Sequence, residues 1–110
     1  MTGKLTTHVL DTVKGRPAGG MKIELHRLEQ GDSLIKTVFT NADGRTDEPL
    51  LAGDQFTTGH FELKFFVGNY FDERRFLNAV PVHFTIADTE SNYHVPLICS
   101  PWAYSTYRGS

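Results

Sequence analysis

Histidine is the side chain best suited to moving protons near neutral pH, because its ordinary pKa is about 6.5. The chain has five, and strand parity divides them. His26, His60 and His83 lie on the polar faces of alternating strands and read as solvated surface imidazoles. His8 and His94 are differently placed. In Tyr93-His94-Val95-Pro96-Leu97-Ile98-Cys99 the odd positions make a core face, and His94 shares the other face with Pro96 and Ile98. In Thr6-Thr7-His8-Val9-Leu10-Asp11, His8 shares its face with Leu10. An outward face that mixes imidazoles with apolar side chains marks a subunit interface or a pocket wall. Two such imidazoles suit general acid–base work, but parity alone names no reaction.

Other chemistries are argued against residue by residue. Arg45 follows a tight turn and by itself reads as a solvated cation. Cys99 falls on the inward parity of its strand, so it reads as a buried structural thiol. The serines near the C-terminus lack a Gly-x-Ser-x-Gly elbow. There is no phosphate loop, no dinucleotide fingerprint and no His-Glu-x-x-His. With 11 basic and 13 acidic residues the net charge is −2, which gives no basic field for nucleic acid. One cysteine rules out an internal disulfide and a Cys-rich zinc site. The first eight residues show no apolar signal segment, and no apolar run approaches the ~20 residues of a membrane span. The expectation is an intracellular, soluble protein of 110 residues in one domain, 1–110. So small a domain gains from oligomerisation.

The elements that must position these residues are short strands. Thr6 to Asp11 is the first, and Gly15 to Gly20 reads as a loop. Met21 to Leu28 alternates, with Met21, Ile23 and Leu25 inward. Leu34 to Thr40 is a third strand, closed by the turn Asn41-Ala42-Asp43-Gly44. Thr46 to Thr58 is irregular, with room for one short strand. His60 to Val67 turns Phe61, Leu63, Phe65 and Val67 inward. Asn69 to Phe76 has helix-like spacing, with Asn69 as its cap. Val82 to Asp88, Tyr93 to Cys99 and Trp102 to Tyr107 complete seven or eight strands. Such a set packs as an all-β, two-sheet sandwich with one short helix near 69–76.

The chain ends Tyr107-Arg108-Gly109-Ser110, which resembles the C-terminal signature of the 5-hydroxyisourate hydrolases, also called transthyretin-related proteins. Leu5-Thr6-Thr7-His8-Val9-Leu10-Asp11 resembles that family's opening segment. Thr40-Asn41-Ala42-Asp43-Gly44-Arg45 resembles its central motif, and Tyr93-His94-Val95-Pro96-Leu97 the segment with its second histidine. The resemblance runs along the whole chain in order. It implies a transthyretin-like fold of two four-stranded sheets, assembled as a homotetramer, a dimer of dimers, with sites in a channel between dimers. It also implies that His8, Arg45 and His94 are catalytic, and that Arg45, Tyr107, Arg108, Gly109 and Ser110 shape substrate binding. His8 and His94 would then lie side by side on neighbouring strands, joined by Ser105 and Tyr107.

The activity implied is hydrolysis of 5-hydroxyisourate to 2-oxo-4-hydroxy-4-carboxy-5-ureidoimidazoline in purine breakdown. That reaction needs a base for water, donors for an oxyanion and a proton for the leaving nitrogen. Histidine and arginine supply these without metal or other cofactor. Which histidine is the base stays open at this point. The compartment implied is the bacterial cytoplasm, or the peroxisome in a eukaryote. The rival readings are a transthyretin-like carrier without catalysis and an immunoglobulin-like structural sandwich. Neither requires paired histidines on an outer face.

Overall fold

The computed structural model describes residues 2–110. Eight strands form two four-stranded sheets. They are β1 (Leu5–Asp11), β2 (Arg16–Pro17), β3 (Lys22–Arg27), β4 (Ser33–Phe39), β5 (Gly59–Phe65), β6 (Val80–Ile86), β7 (Tyr93–Cys99) and β8 (Tyr104–Thr106). One sheet has the order β2-β1-β7-β8, the other β4-β3-β5-β6. The β1–β7 pair is parallel and the remaining pairs are antiparallel.

Alternation builds the core between the sheets. Leu5, Val9, Tyr93, Val95, Leu97 and Cys99 are buried from one side. Ile23, Leu25, Phe61, Leu63, Phe65, Val82 and Ile86 meet them from the other. Thr7 also faces inward, and its hydroxyl donates to the carbonyl of Val95 at 2.7 Å, which satisfies a polar group that burial would otherwise penalise. Cys99 is buried as expected, and burial pushes its thiol up to about 12, far from a reactive thiolate.

Pro96 sits in a strand flanked on both sides, where a missing N–H normally costs a ladder bond. In a strand, a residue's N–H and C=O point to the same side. The Pro96 carbonyl accepts from the Thr106 hydroxyl at 2.7 Å, so the missing N–H faces β8. That strand ends at Thr106, and little ladder is lost.

Three local expectations are corrected. The helix, α1, spans Val67–Phe71 rather than 69–76, and Phe66 stands at its N-cap. The chain turns as soon as β5 ends, and Val67 and Gly68 are drawn into the core. Asn69 therefore lies inside the helix, and its side-chain oxygen accepts two bonds from Arg74, at 2.7 and 3.1 Å. Asp72, with φ at 53°, adopts the left-handed conformation that stops the helix. Arg16 and Pro17, read as loop, pair with β1 opposite Asp11 and Leu10. The irregular stretch contributes a single bridge, Leu5 to Leu51, and a 3₁₀ turn at Gly53–Gln55 in place of a strand. Among the described residues no helix is long and apolar enough to cross a membrane.

Candidate active site

The two histidines singled out by parity lie on the outer face of the first sheet. In the β1–β7 register Thr6 pairs with His94, His8 with Pro96 and Leu10 with Ile98. Side chains of paired residues share a face, so Thr6, His8, Leu10, His94, Pro96 and Ile98 form one surface. Ser105, opposite Ile98 on β8, extends it. His8 and His94 are diagonal neighbours there, and each is half-buried.

Arg45 follows a turn held against β1. The Asn41 side-chain oxygen accepts from the N–H groups of Asp43 and Arg45 at 2.9 and 3.2 Å, an Asx turn closed by its own side chain. The turn is docked on β1, because the Val9 N–H donates to the Gly44 carbonyl at 2.8 Å. Gly44 has φ at 74°, and a Cβ there would fall 2.4 Å from the Val9 carbonyl oxygen. Only glycine fits, and the next residue is Arg45, which shares a small hollow with Thr6. Among the described residues the Arg45 guanidinium makes no ion pair, so its donors are free for a ligand.

His94 is the most constrained of the three. Its Nδ1 lies 2.8 Å from the Thr6 hydroxyl. Its carbonyl accepts from the Gly109 N–H at 2.7 Å, which lays the C-terminal tail across it. A Cβ on Gly109 would fall 2.5 Å from Cδ2 of the ring. Burial, then the electrostatic influence of Arg45 and His8, hold His94 below the usual histidine pKa. The ring of His8 has no hydrogen-bond partner among the described residues.

The tail residues divide. Gly109 lies on His94, with Ser110 next to it in sequence. Arg108 turns back on the fold, stacking 4.2 Å over the Tyr93 ring and donating to the Asn92 carbonyl at 3.0 Å. Tyr107 and Arg108 line a hollow of about 430 Å³ with Phe84, Tyr93 and Val95, at the mouth between the sheets. A smaller hollow of about 160 Å³ is lined by Thr6, Arg45, Glu48 and Pro49 among others, and by neither His8 nor His94. The larger hollow contains none of His8, Arg45 and His94, so its size does not make it the chemical site. Sequence parity missed Thr6, although it stands two residues before His8 and so on the same face.

The second sheet corrects one expectation. His26, read as a solvated imidazole, is 9 % exposed. It is bonded to Asp32 through Nδ1 at 2.6 Å and to Glu24 through Nε2 at 2.9 Å. A bulge between Leu25 and His26 shifts the pairing with β4, and Asp32 in the following turn covers the ring. His83 and His60 are exposed, as expected, the first bonded to Glu62 and the second to Thr85, each at 2.8 Å. Among the described residues no group of three or more His, Cys, Asp or Glu converges to hold a metal.

The chain is 57% identical to "5-hydroxyisourate hydrolase 2" of Rhizobium meliloti, over 99% of this chain and 98% of that one. It is 46% identical to the 5-hydroxyisourate hydrolase of Mus musculus, over 96% and 94%. Among solved structures, that of Klebsiella pneumoniae 5-hydroxyisourate hydrolase superposes with a TM-score of 0.84 at 29% identity, over 99% and 100%. Sea bream transthyretin in complex with thyroxine superposes at 0.88 with 27% identity, over 96% and 94%. An (S)-allantoin synthase superposes at 0.91 with 45% identity, over 98% of this chain but 44% of that one. Residues 5–109 match the model of the HIUase/Transthyretin family, and the chain belongs to that family.

Proposed function

We propose that the protein hydrolyses 5-hydroxyisourate, opening its six-membered ring to 2-oxo-4-hydroxy-4-carboxy-5-ureidoimidazoline in urate catabolism. The relatives and the solved hydrolase structure support this activity. The observation that supports the site assignment is that His8 and His94 share one outer face of two paired strands, while Arg45, on a turn bonded to β1, bears electrostatically on His94.

His94 is the general base in this reading. Its lowered proton affinity keeps it neutral at working pH, and its ring is held on two edges. It takes a proton from water as the water oxygen bonds to the ring carbonyl carbon. The carbonyl oxygen becomes an oxyanion, which the planar fork of Arg45 stabilises. As the oxyanion collapses the C–N bond breaks, and the imidazolium returns its proton to the departing nitrogen. His8, beside His94, favours the neutral form of its neighbour and offers a second proton relay. Arg45 and the tail, Tyr107 to Ser110, bind substrate, with Arg108 acting by pinning the tail to Tyr93 and Asn92. The reaction is run by one domain, 1–110.

The assembly in this reading is a homotetramer. Its support is the exposed aromatic set Trp102, Tyr104 and Tyr107 on and around the edge strand β8, with Val13 exposed after β1. An active monomer in sedimentation would sink that assembly.

The deciding test follows the ultraviolet decay of 5-hydroxyisourate, generated in place by urate oxidase. Faster decay in proportion to protein, lost in His94→Ala, is the expected result. Unchanged decay with folded protein would remove the hydrolase reading and favour ligand carriage, the role suggested by the thyroxine-bound sea bream structure.

A further inference from the structure

A histidine base needs one nitrogen unprotonated and aimed at the reacting atoms. In a free imidazole the proton moves between Nδ1 and Nε2, so a site must choose the tautomer. The surroundings of His94 give its two ring edges different neighbours. The Nδ1 edge faces the Thr6 hydroxyl at 2.8 Å. The opposite edge, at Cδ2, is covered by Gly109, so closely that a Cβ would lie 2.5 Å away. The ring tip, with Cε1 and Nε2, is what these two contacts leave open, and among the described residues Nε2 has no partner. Thr6 bonds through its side chain to no other described residue. It also lines the small hollow beside Arg45.

We propose that Thr6 is a positioning residue for the reaction: its Oγ1 accepts from the Nδ1–H of His94, which leaves the lone pair on Nε2 as the working base.

The chemistry favours a hydroxyl there over the carboxylate that supports many other histidines. A carboxylate would stabilise the imidazolium and raise the proton affinity, as it does for His26 in this molecule. A neutral hydroxyl fixes the same tautomer with a smaller effect on charge. The Nδ1–H to Oγ1 bond persists whether Nε2 is empty or protonated, so the ring need not turn between taking the proton and giving it back. The β1–β7 register holds the pair, because Thr6 and His94 are direct partners across it.

This inference rests on His94 being the base, and the experiment separates the two. Thr6→Val keeps shape and strand preference but removes the acceptor; Thr6→Ser restores a hydroxyl. Turnover against pH is measured for both and for His94→Ala. The ¹⁵N shifts of the His94 ring in the protein alone report the tautomer. Thr6→Val should lower kcat at least about tenfold with KM within about twofold. Its acid limb should move to lower pH, since the imidazolium has lost an acceptor. Its Nδ1–H tautomer should fall, and Thr6→Ser should recover all three. An unchanged tautomer in Thr6→Val, or a Thr6→Ser variant as impaired as the valine, overturns the role of Thr6. Wild-type turnover in His94→Ala instead overturns the site assignment, a result that the ring shifts of Thr6→Val do not depend on.

Discussion

The two sheets carry histidines on their outer faces, yet the faces treat them in opposite ways. On the second sheet the imidazoles are tied to partners. His26 lies between Glu24 and Asp32, His83 meets Glu62, and His60 meets Thr85. Burial alone would lower the pKa of His26, but the bonds to Glu24 and Asp32 and the nearby charge of Glu62 outweigh it, and the net shift is upward. On the first sheet no carboxylate among the described residues bonds to either ring. His94 has one neutral hydroxyl, with Arg45 and His8 for electrostatic company, and its pKa falls. In the proposed reading the same side chain is thus a structural tie whose proton is held more firmly in one place and a base whose proton is held less firmly in the other. The sign of its neighbours decides which.

That contrast can be broken most directly at His94. Replacing it by alanine should cut kcat by about 10²-fold or more with the circular dichroism spectrum unchanged. Near-normal turnover would erase the distinction between the faces. Gly109→Ala should come next, because the new methyl drives into the His94 ring; a loss of about tenfold in kcat is expected if ring position matters. Arg45→Lys should lower kcat/KM by a similar factor, since a point charge replaces a planar fork. Full activity there would reduce Arg45 to a surface cation.

The pH dependences sharpen the comparison and run in opposite directions. Because the folded pKa of His94 is depressed, the base stays neutral below the usual ~6.5. The acid limb of kcat/KM should therefore lie below that value; a limb above it would contradict the assignment. For His26 the folded pKa is raised, so its contribution to stability is fully present below the unfolded pKa of ~6.5. It is lost as pH rises through the folded value. The variant His26→Gln should lose that pH dependence and about 1–3 kcal/mol of stability in denaturant titrations at pH 6, with kcat unaltered. A large loss of turnover would show that the second sheet is not a bystander.

Much of this architecture is legible in the chain before folding. Period-two alternation places β7 at its observed limits and puts His8 and His94 on one side of their strands, because parity is a local property. The misreadings share a different cause. His26 has the parity of a surface residue, but it is buried by a bulge and by Asp32 from the next turn. Thr6 is silent until β7 is laid against β1 and brings Nδ1 of His94 to it. Asn69 has the composition of a cap, but the point where β5 ends sets the start of the helix. Pairing partners from distant strands decided each of these outcomes, and no window of neighbouring residues contains them.

The parallel seam of β1 and β7 has a consequence in time. Thr7 and Val95, bonded across it, are 88 residues apart in sequence, whereas β3 and β4 form a near-local hairpin. Closing so long a loop carries a larger entropy cost, and contacts of this kind tend to form late. The same seam carries both His8 and His94, the residues proposed for the chemistry. During refolding, burial of the aromatic core should therefore recover before turnover does, and returning activity becomes a clock for the last strand to arrive.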